Sequence, residues 1–324
     1  MVVLKSADEI AVMREAGRVV ARTLAAVADA ARPGVRLADL DALAADLLAQ
    51  QGATPSFLGY HPAWAPTPYP GVVCLSVNEA IVHGIPDGRV LREGDLLSID
   101  CGACVDGYHG DAAITMGVGD LDPEARRLLD TTTAALAAGI EAARPGARIG
   151  DISHAIEAIA RAGAYGLPAG LGGHGIGTAM HEDPHVPNTG RPGRGMRLPE
   201  GIVLAIEPML TEGGTDRGLT LADGWTVATT DGRRAAHAEH TVALTAAGPI
   251  VLTRPYPRSA RRRLASRRRV AVRLSRRGLG LSRRRGGWST SEDSARRWTC
   301  RRPCLCLRRS ASSPSCPVRG ARPG

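Results

Sequence analysis

Long apolar runs are missing from this chain. No stretch approaches the ~20 residues that crossing a bilayer takes. Met1 to Lys5 is too short an apolar segment for a secretory signal, and charge follows it at once. These absences predict a cytoplasmic protein with no membrane partner. Disulfide chemistry is excluded on similar grounds. Of seven cysteines, three (Cys74, Cys101, Cys104) precede residue 254, and the odd total without a secretory signal points to a reducing compartment. Aromatic residues make up only 3% of the chain, so any local gathering of them is a signal.

Acidic residues all but vanish after Thr253. From Arg254 onward there are 22 arginines, no lysine and two acids (Glu292, Asp293), a net of +20, which leaves −11 on the preceding 253 residues within the overall +9. Basic character that would point to nucleic acid therefore belongs to the tail and not to the body. Arginine triplets at 261–263, 267–269 and 283–285 interrupt any apolar face, and such a segment cannot bury enough apolar area to order itself. The expected division is a globular domain, residues 1–253, and an Arg-rich, disordered tail, residues 254–324. The tail reads either as an arm that contacts RNA at the ribosome or as the product of a shifted reading frame in GC-rich DNA.

The body contains a long-period repeat. Ala31-Arg-Pro-Gly-Val-Arg-Leu-Ala-Asp39-Leu recurs as Ala143-Arg-Pro-Gly-Ala-Arg-Ile-Gly-Asp151-Ile, offset by 112 residues. Each copy follows an alanine-rich helical stretch that Arg-Pro-Gly would stop, and each opens a second helix with the aspartate as its expected N-cap. Downstream, Leu96-Leu-Ser-Ile-Asp100 is matched by Ile202-Val-Leu-Ala-Ile-Glu207, each read as a strand ending in a carboxylate. Two copies at so long a period mean two similar half-domains rather than a solenoid. The fold class is α+β, helices packed over sheets from two pseudo-symmetric halves, with a site between them.

Acidic residues converge on that site. Asp106-Gly107 is a two-residue hairpin signal between apolar runs. With that loop, Val105 faces Tyr108, Gly102 faces Asp111 and Asp100 faces Ala113, so Asp100 and Asp111 are diagonal neighbours on one face. Two carboxylates aimed at one point repel unless a cation lies between them. The second half adds Glu207 at a strand end, Glu239 on the Ala238–Leu244 strand and His174 within a glycine-rich segment. Four carboxylates and one imidazole suit Mn, Fe, Co or Zn, and two divalent ions balance the charge better than one. Taken singly, each of these acids is an ordinary solvated charge or cap. Their placement at the ends of apolar strands, where a bare charge costs several kcal/mol, lifts the set above that reading.

The motifs Val77-Asn-Glu-Ala-Ile-Val-His83-Gly-Ile-Pro86, Ile99-Asp100, His109-Gly-Asp111, Gly173-His174-Gly-Ile-Gly177, His181-Glu-Asp-Pro184, Ile206-Glu207-Pro-Met209 and Glu239-His-Thr241 resemble those of type I methionine aminopeptidases, in order over residues 4 to 253. The resemblance implies the pita-bread fold, whose internal pseudo-symmetry agrees with the repeat. It implies that Asp100 chelates one metal, His174 and Glu207 the other, and that Asp111 and Glu239 bridge both. His83 and His181 would handle the substrate amide and the tetrahedral intermediate, a metal-bound hydroxide would attack, and Glu207 would shuttle its proton to the leaving amine. Phe57, Tyr60, Tyr69, Cys74, Met180 and Trp225 would wall the methionine pocket. The implied substrate is the N-terminus of a nascent polypeptide with a small second residue, met by a monomer at the ribosome. One departure is visible: the segment from Tyr60 to Tyr69 is longer than the family's usual loop and recuts the pocket rim.

Rival motifs fall on local grounds. His181-Glu-Asp-Pro-His185 has zincin spacing, but that motif needs a helix, which Pro184, Pro187 and the preceding glycines oppose; His185 reads as a surface residue. Cys101 and Cys104 point to opposite faces of a strand and cannot chelate together. Prolidase relatives usually carry a large extra N-terminal domain. Type II methionine aminopeptidases carry a long insert for which the 25 residues between His181 and Glu207 leave no space. A partner-binding relative without activity would be expected to lose metal ligands, and all five are kept.

Overall fold

The computed structural model describes residues 2–254 of the chain; the tail, with its expected disorder and RNA contact, lies outside the described residues. The first half runs α1 (Ala7–Ala30), α2 (Leu37–Gln50), β1 (Thr54–Pro55), β2 (Cys74–Val77), β3 (Ala80–Val82), β4 (Leu96–Val105) and β5 (Tyr108–Gly117). The second runs α3 (Pro123–Ala142), α4 (Ile149–Ala162), β6 (Gly172–Gly175), β7 (Glu182–Pro187), β8 (Val203–Ile206), β9 (Met209–Thr211), β10 (Gly218–Thr220), β11 (Val227–Thr229), β12 (Ala235–His237), β13 (His240–Thr245) and β14 (Gly248–Val251). Two helices followed by antiparallel strands occur in each half, and α2 and α4 are offset by the 112 residues of the sequence repeat.

Local chemistry starts and stops the helices. Ser6 caps α1 in a capping box, its hydroxyl accepting from Glu9 N while the Glu9 carboxylate accepts from Ser6 N. Asp122 caps α3 with Pro123 following. The expectation for Asp39 and Asp151 needs correcting. Helices α2 and α4 begin two residues before these aspartates, with Arg36 and Arg148 at the N-caps. Asp39 instead binds the Arg36 guanidinium, and Asp151 accepts from Arg148 N. A carboxylate in the first helical turn satisfies the same positive helix end from inside.

In the first half β5 pairs along the whole of β4, whose other edge takes β2 and β1. The larger sheet of the second half has the order β14-β13-β8-β6-β7. One apolar core lies between α1, α2 and the β4 sheet, a second between α3, α4 and the β8 sheet. A third draws Phe57, Tyr69 and Cys74 from the first half and Met180, Val203 and Trp225 from the second. Threonine hydroxyls stitch the halves together above it. Thr115 Oγ1 donates to His237 O and accepts from His237 N, and Glu239 N donates to Ala113 O at 2.9 Å. Among the described residues no helix is long and apolar enough to cross a membrane.

Candidate metal centre

The expected hairpin register is present residue for residue: Val105 faces Tyr108, Gly102 faces Asp111 and Asp100 faces Ala113. Asp106 and Gly107 both have positive φ (50° and 82°), as a two-residue turn of that hand requires. Asp100, however, lies in the middle of β4 rather than at a strand end, because pairing with β5 carries the strand on to Val105. Glu207 directly follows β8, and Glu239 directly precedes β13 instead of lying on it. The β13–β8 register puts His240 opposite Ile206, which sets Glu239 beside Glu207.

His174 reaches the same spot from β6, where it pairs with Ala205 of β8. The glycines beside it are sterically required: a Cβ at Gly173 or Gly175 would lie 2.1 Å from the carbonyl oxygen of Ala205 or Asp183. His174 Nδ1 is 2.8 Å from Gly175 O, which fixes the neutral tautomer with the proton on Nδ1 and turns the Nε2 lone pair inward. That Nε2 lies 3.6 Å from Glu207 Oε1.

The ligand atoms of Asp111, His174 and Glu239 all fall within 4.8 Å of one another, as do those of Glu207, His237 and Glu239. Asp100 Oδ1, Asp111 Oδ1 and Glu239 Oε1 are buried without a hydrogen-bond partner. Bare anionic oxygens crowded together in a dry site are strongly disfavoured, so the donor set fits divalent cations. The electrostatics agree. Burial, opposed by His237 and reinforced by Glu207, lifts the Asp100 carboxyl to about 7, and burial lifts Glu207 to about 8. Asp111 and Glu239 are likewise pushed well above the ordinary carboxylate range by burial and by neighbouring carboxylates. Burial lowers His174 to about 3 and His83 to about 4. His181 has an exposed edge, yet it packs closely enough on Tyr60 and His174 (ring centroids 5.1 and 4.1 Å) that desolvation holds it near 4. All three imidazoles are therefore neutral at physiological pH.

A cavity of ≈ 250 Å³ opens on this cluster. Its apolar wall is Phe57, Tyr60, Tyr69, Cys74 and Trp225, and His83 and His181 face it. Met180 does not line it. Its side chain is 4% exposed and packs in the core between the halves, while the adjacent His181 takes the cavity side.

The family model for metallopeptidase family M24 matches residues 11–246. Methionine aminopeptidase 1 of Mycobacterium tuberculosis is 52% identical over 256 residues, 77% of this chain and 94% of that protein. The chain belongs to the methionine aminopeptidases of metallopeptidase family M24. It is a metal-dependent aminopeptidase with the pita-bread fold. The crystal structure of the Thermotoga maritima methionine aminopeptidase superposes with a TM-score of 0.75 at 39% identity, covering 78% of this chain and all of that one. A prolidase from Pyrococcus furiosus, at 22% identity and a TM-score of 0.63, shares the fold alone.

Two residues of the site escaped the sequence reading. Trp64 joins the cavity wall from the long Tyr60–Tyr69 loop, and its place among Phe57, Tyr60 and Tyr69 in so aromatic-poor a chain was the available signal. His237 stands 3.3 Å from Glu207 Oε2, and its spacing of two from Glu239 on an extended run was the clue. The zincin reading fails as expected, since Glu182–Pro187 is a strand; His185 is exposed.

Proposed function

We propose that this site removes N-terminal methionine from polypeptides whose second residue is small, with two divalent ions held by Asp100, Asp111, His174, Glu207 and Glu239. The observation that carries this reading is the meeting of four carboxylates, Asp111 and Glu239 buried and Asp100 and Glu207 half-buried, from both halves in one cavity. When bound, the ion pair lowers the pKa of a water toward neutrality and polarises the scissile carbonyl.

The chain's own residues do the rest. Phe57, Tyr69, Cys74 and Trp225 exclude water around an unbranched thioether side chain, and the Tyr69 hydroxyl is spent on Gly84 O and Val73 O, so it presents ring rather than hydroxyl to the ligand. His83 and His181, neutral and at the rim, are placed to donate hydrogen bonds to the substrate amide and to the oxyanion that develops from its carbonyl. Glu207, whose carboxylate stands at the cavity between His174 and His237, is the group that would carry a proton to the leaving amine.

Residues 1–253 are read as the catalytic domain. The cytoplasm, nascent chains at the ribosome and a monomeric state are part of the same proposal. The test is methionine release from Met-Ala-Ser by metal-stripped protein given Mn(II) or Co(II). Release that appears with metal and falls by more than about 10²-fold in Asp111→Ala is expected. Release that persists in that variant, or none with any divalent ion, overturns the reading.

A further inference from the structure

We propose that His237 is a sixth protein ligand of this centre, its Nε2 binding the ion that Glu207 and Glu239 also hold. The inference rests on the metal-centre reading above and extends it, because the family motifs carried onto this chain supply five ligands and His237 is not among them.

The imidazole is 2% exposed, and its Nε2 has no hydrogen-bond partner. A buried ring nitrogen left unpaired is costly unless another species occupies it. This nitrogen lies 3.3 Å from Glu207 Oε2 but outside hydrogen-bond alignment. A ring nitrogen of His237 and one oxygen each from Glu207 and Glu239 fall within a 4.8 Å span, close to the spacing of donors that each stand about 2.0–2.2 Å from a common ion.

Glu207 presents its other oxygen to His174, so its carboxylate lies between two imidazoles, one on each side. The ring of His237 is also held in place. β12 pairs with β9, placing His237 opposite Met209, and both the amide and the carbonyl of His237 bond to Thr115 Oγ1. A rigid backbone and a neutral nitrogen donor add coordination without adding charge. That shifts preference toward nitrogen-favouring ions such as Co(II) and Zn(II) over Mn(II).

The alternative is that His237 only donates a hydrogen bond to Glu207, and the two roles differ in what the ion reports. The experiment is proton NMR of the full chain loaded with two equivalents of Co(II), counting hyperfine-shifted, solvent-exchangeable imidazole N–H resonances. Two are expected, from His174 and His237, and one should disappear in His237→Gln. Calorimetric titration of the stripped variant should show one Co(II) site weakened by roughly 10–100-fold, and Mn(II) weakened less. A single resonance in the unsubstituted protein refutes the sixth ligand even if His237→Gln fails to fold. Equal losses for Co(II) and Mn(II) with both resonances retained refute it as well. Failure of the unsubstituted chain to bind Co(II) at all would remove the metal-centre reading itself, whereas one resonance with tight Co(II) binding removes only this inference.

Discussion

The hydroxyl of Thr241 grips the backbone of Asp111 at both its polar groups. It accepts from Asp111 N at 2.9 Å and donates to Asp111 O at 2.7 Å, so the second half of the fold sets the position of a ligand belonging to the first. Thr241 is fully buried, and no water can substitute for it. Thr241→Val keeps the shape and leaves two buried groups unsatisfied, at a cost of about 1–3 kcal/mol each. A lower Tm and weaker metal binding are expected, with Thr241→Ser restoring most of both. Unchanged Mn(II) affinity in the valine variant would show that the stitch does not position Asp111.

The pH dependence of metal-free protein follows from the raised carboxylates. Asp100 and Glu207 rise from ordinary values of 3.8 and 4.5 to about 7 and 8, so the folded state binds more protons than the unfolded one across that interval. Stability of the stripped protein should therefore fall as pH climbs through the interval. Bound cations remove the penalty and displace the protons. The Tm gain on adding Mn(II) is expected to grow from about pH 5 to about pH 8. Calorimetry in two buffers of different ionisation heat should register proton release. A gain that is flat with pH contradicts this account.

Asp122 gives the opposite sign. The Arg234 guanidinium and the backbone donors of Ala125 and Glu124 hold its carboxyl at about 2, below the ordinary 3.8. Its contribution is present above 3.8 and is lost as pH falls toward 2. Asp122→Ala should cost about 0.5–2 kcal/mol near neutrality through loss of the α3 cap. Urea midpoints of variant and parent should converge on acidification to about pH 3. A deficit of constant size would mean that the charge of Asp122 is irrelevant.

Trp64 is 60% exposed at the mouth of the site, stacked on His83 at 6.0 Å and edge-on to Trp225 at 5.0 Å. Thr67 O accepts from Trp225 Nε1 at 3.0 Å and ties its loop down. The indole borders both the cavity on the carboxylate cluster and the outer groove that continues past His83 and His181. On the function proposed above, the side chain of the second residue lies there. Trp64→Ala is expected to raise kcat/KM for Met-Val peptides relative to Met-Ala peptides by roughly tenfold, while Trp64→Phe leaves the ratio near its starting value. No movement of the ratio in either variant would place the size limit elsewhere.

Lys5, the only lysine of the sequence, ion-pairs with Glu182, their side chains 3% and 9% exposed. It also donates to Val3 O. Glu182 adjoins His181 and accepts from Ala179 N, so the pair anchors the loop that carries the imidazole. Lys5→Met strands a buried carboxylate, at a cost of about 3–5 kcal/mol. The double variant Lys5→Met/Glu182→Gln should recover part of that loss in chemical denaturation. Additive losses would mean that the two side chains do not interact.

Much of this was legible in the chain itself. Alternation and the Asp106-Gly107 turn sufficed for the β4–β5 register, and the Arg-Pro-Gly repeats marked the helix pairs, because these features depend on neighbours a few residues apart. The N-caps of α2 and α4 lie three residues before the aspartates that the sequence suggests, since an aspartate stabilises a helix end equally well from the cap or from the first turn. Asp100 falls mid-strand because the same hairpin register that pairs it with Ala113 carries β4 on to Val105.

Sequence alone determined the paired helices, the β4–β5 hairpin, the duplicated scaffold and which acids were candidate ligands, all through short-range propensity and motif order. Only the tertiary structure decided that Met180 packs inward while His181 faces the cavity, that Trp64 closes the rim, and that His237 stands against Glu207. Each of these depends on which surfaces the two halves bury against one another. That burial strips water from a carboxylate and turns an ordinary surface charge into part of a cation site.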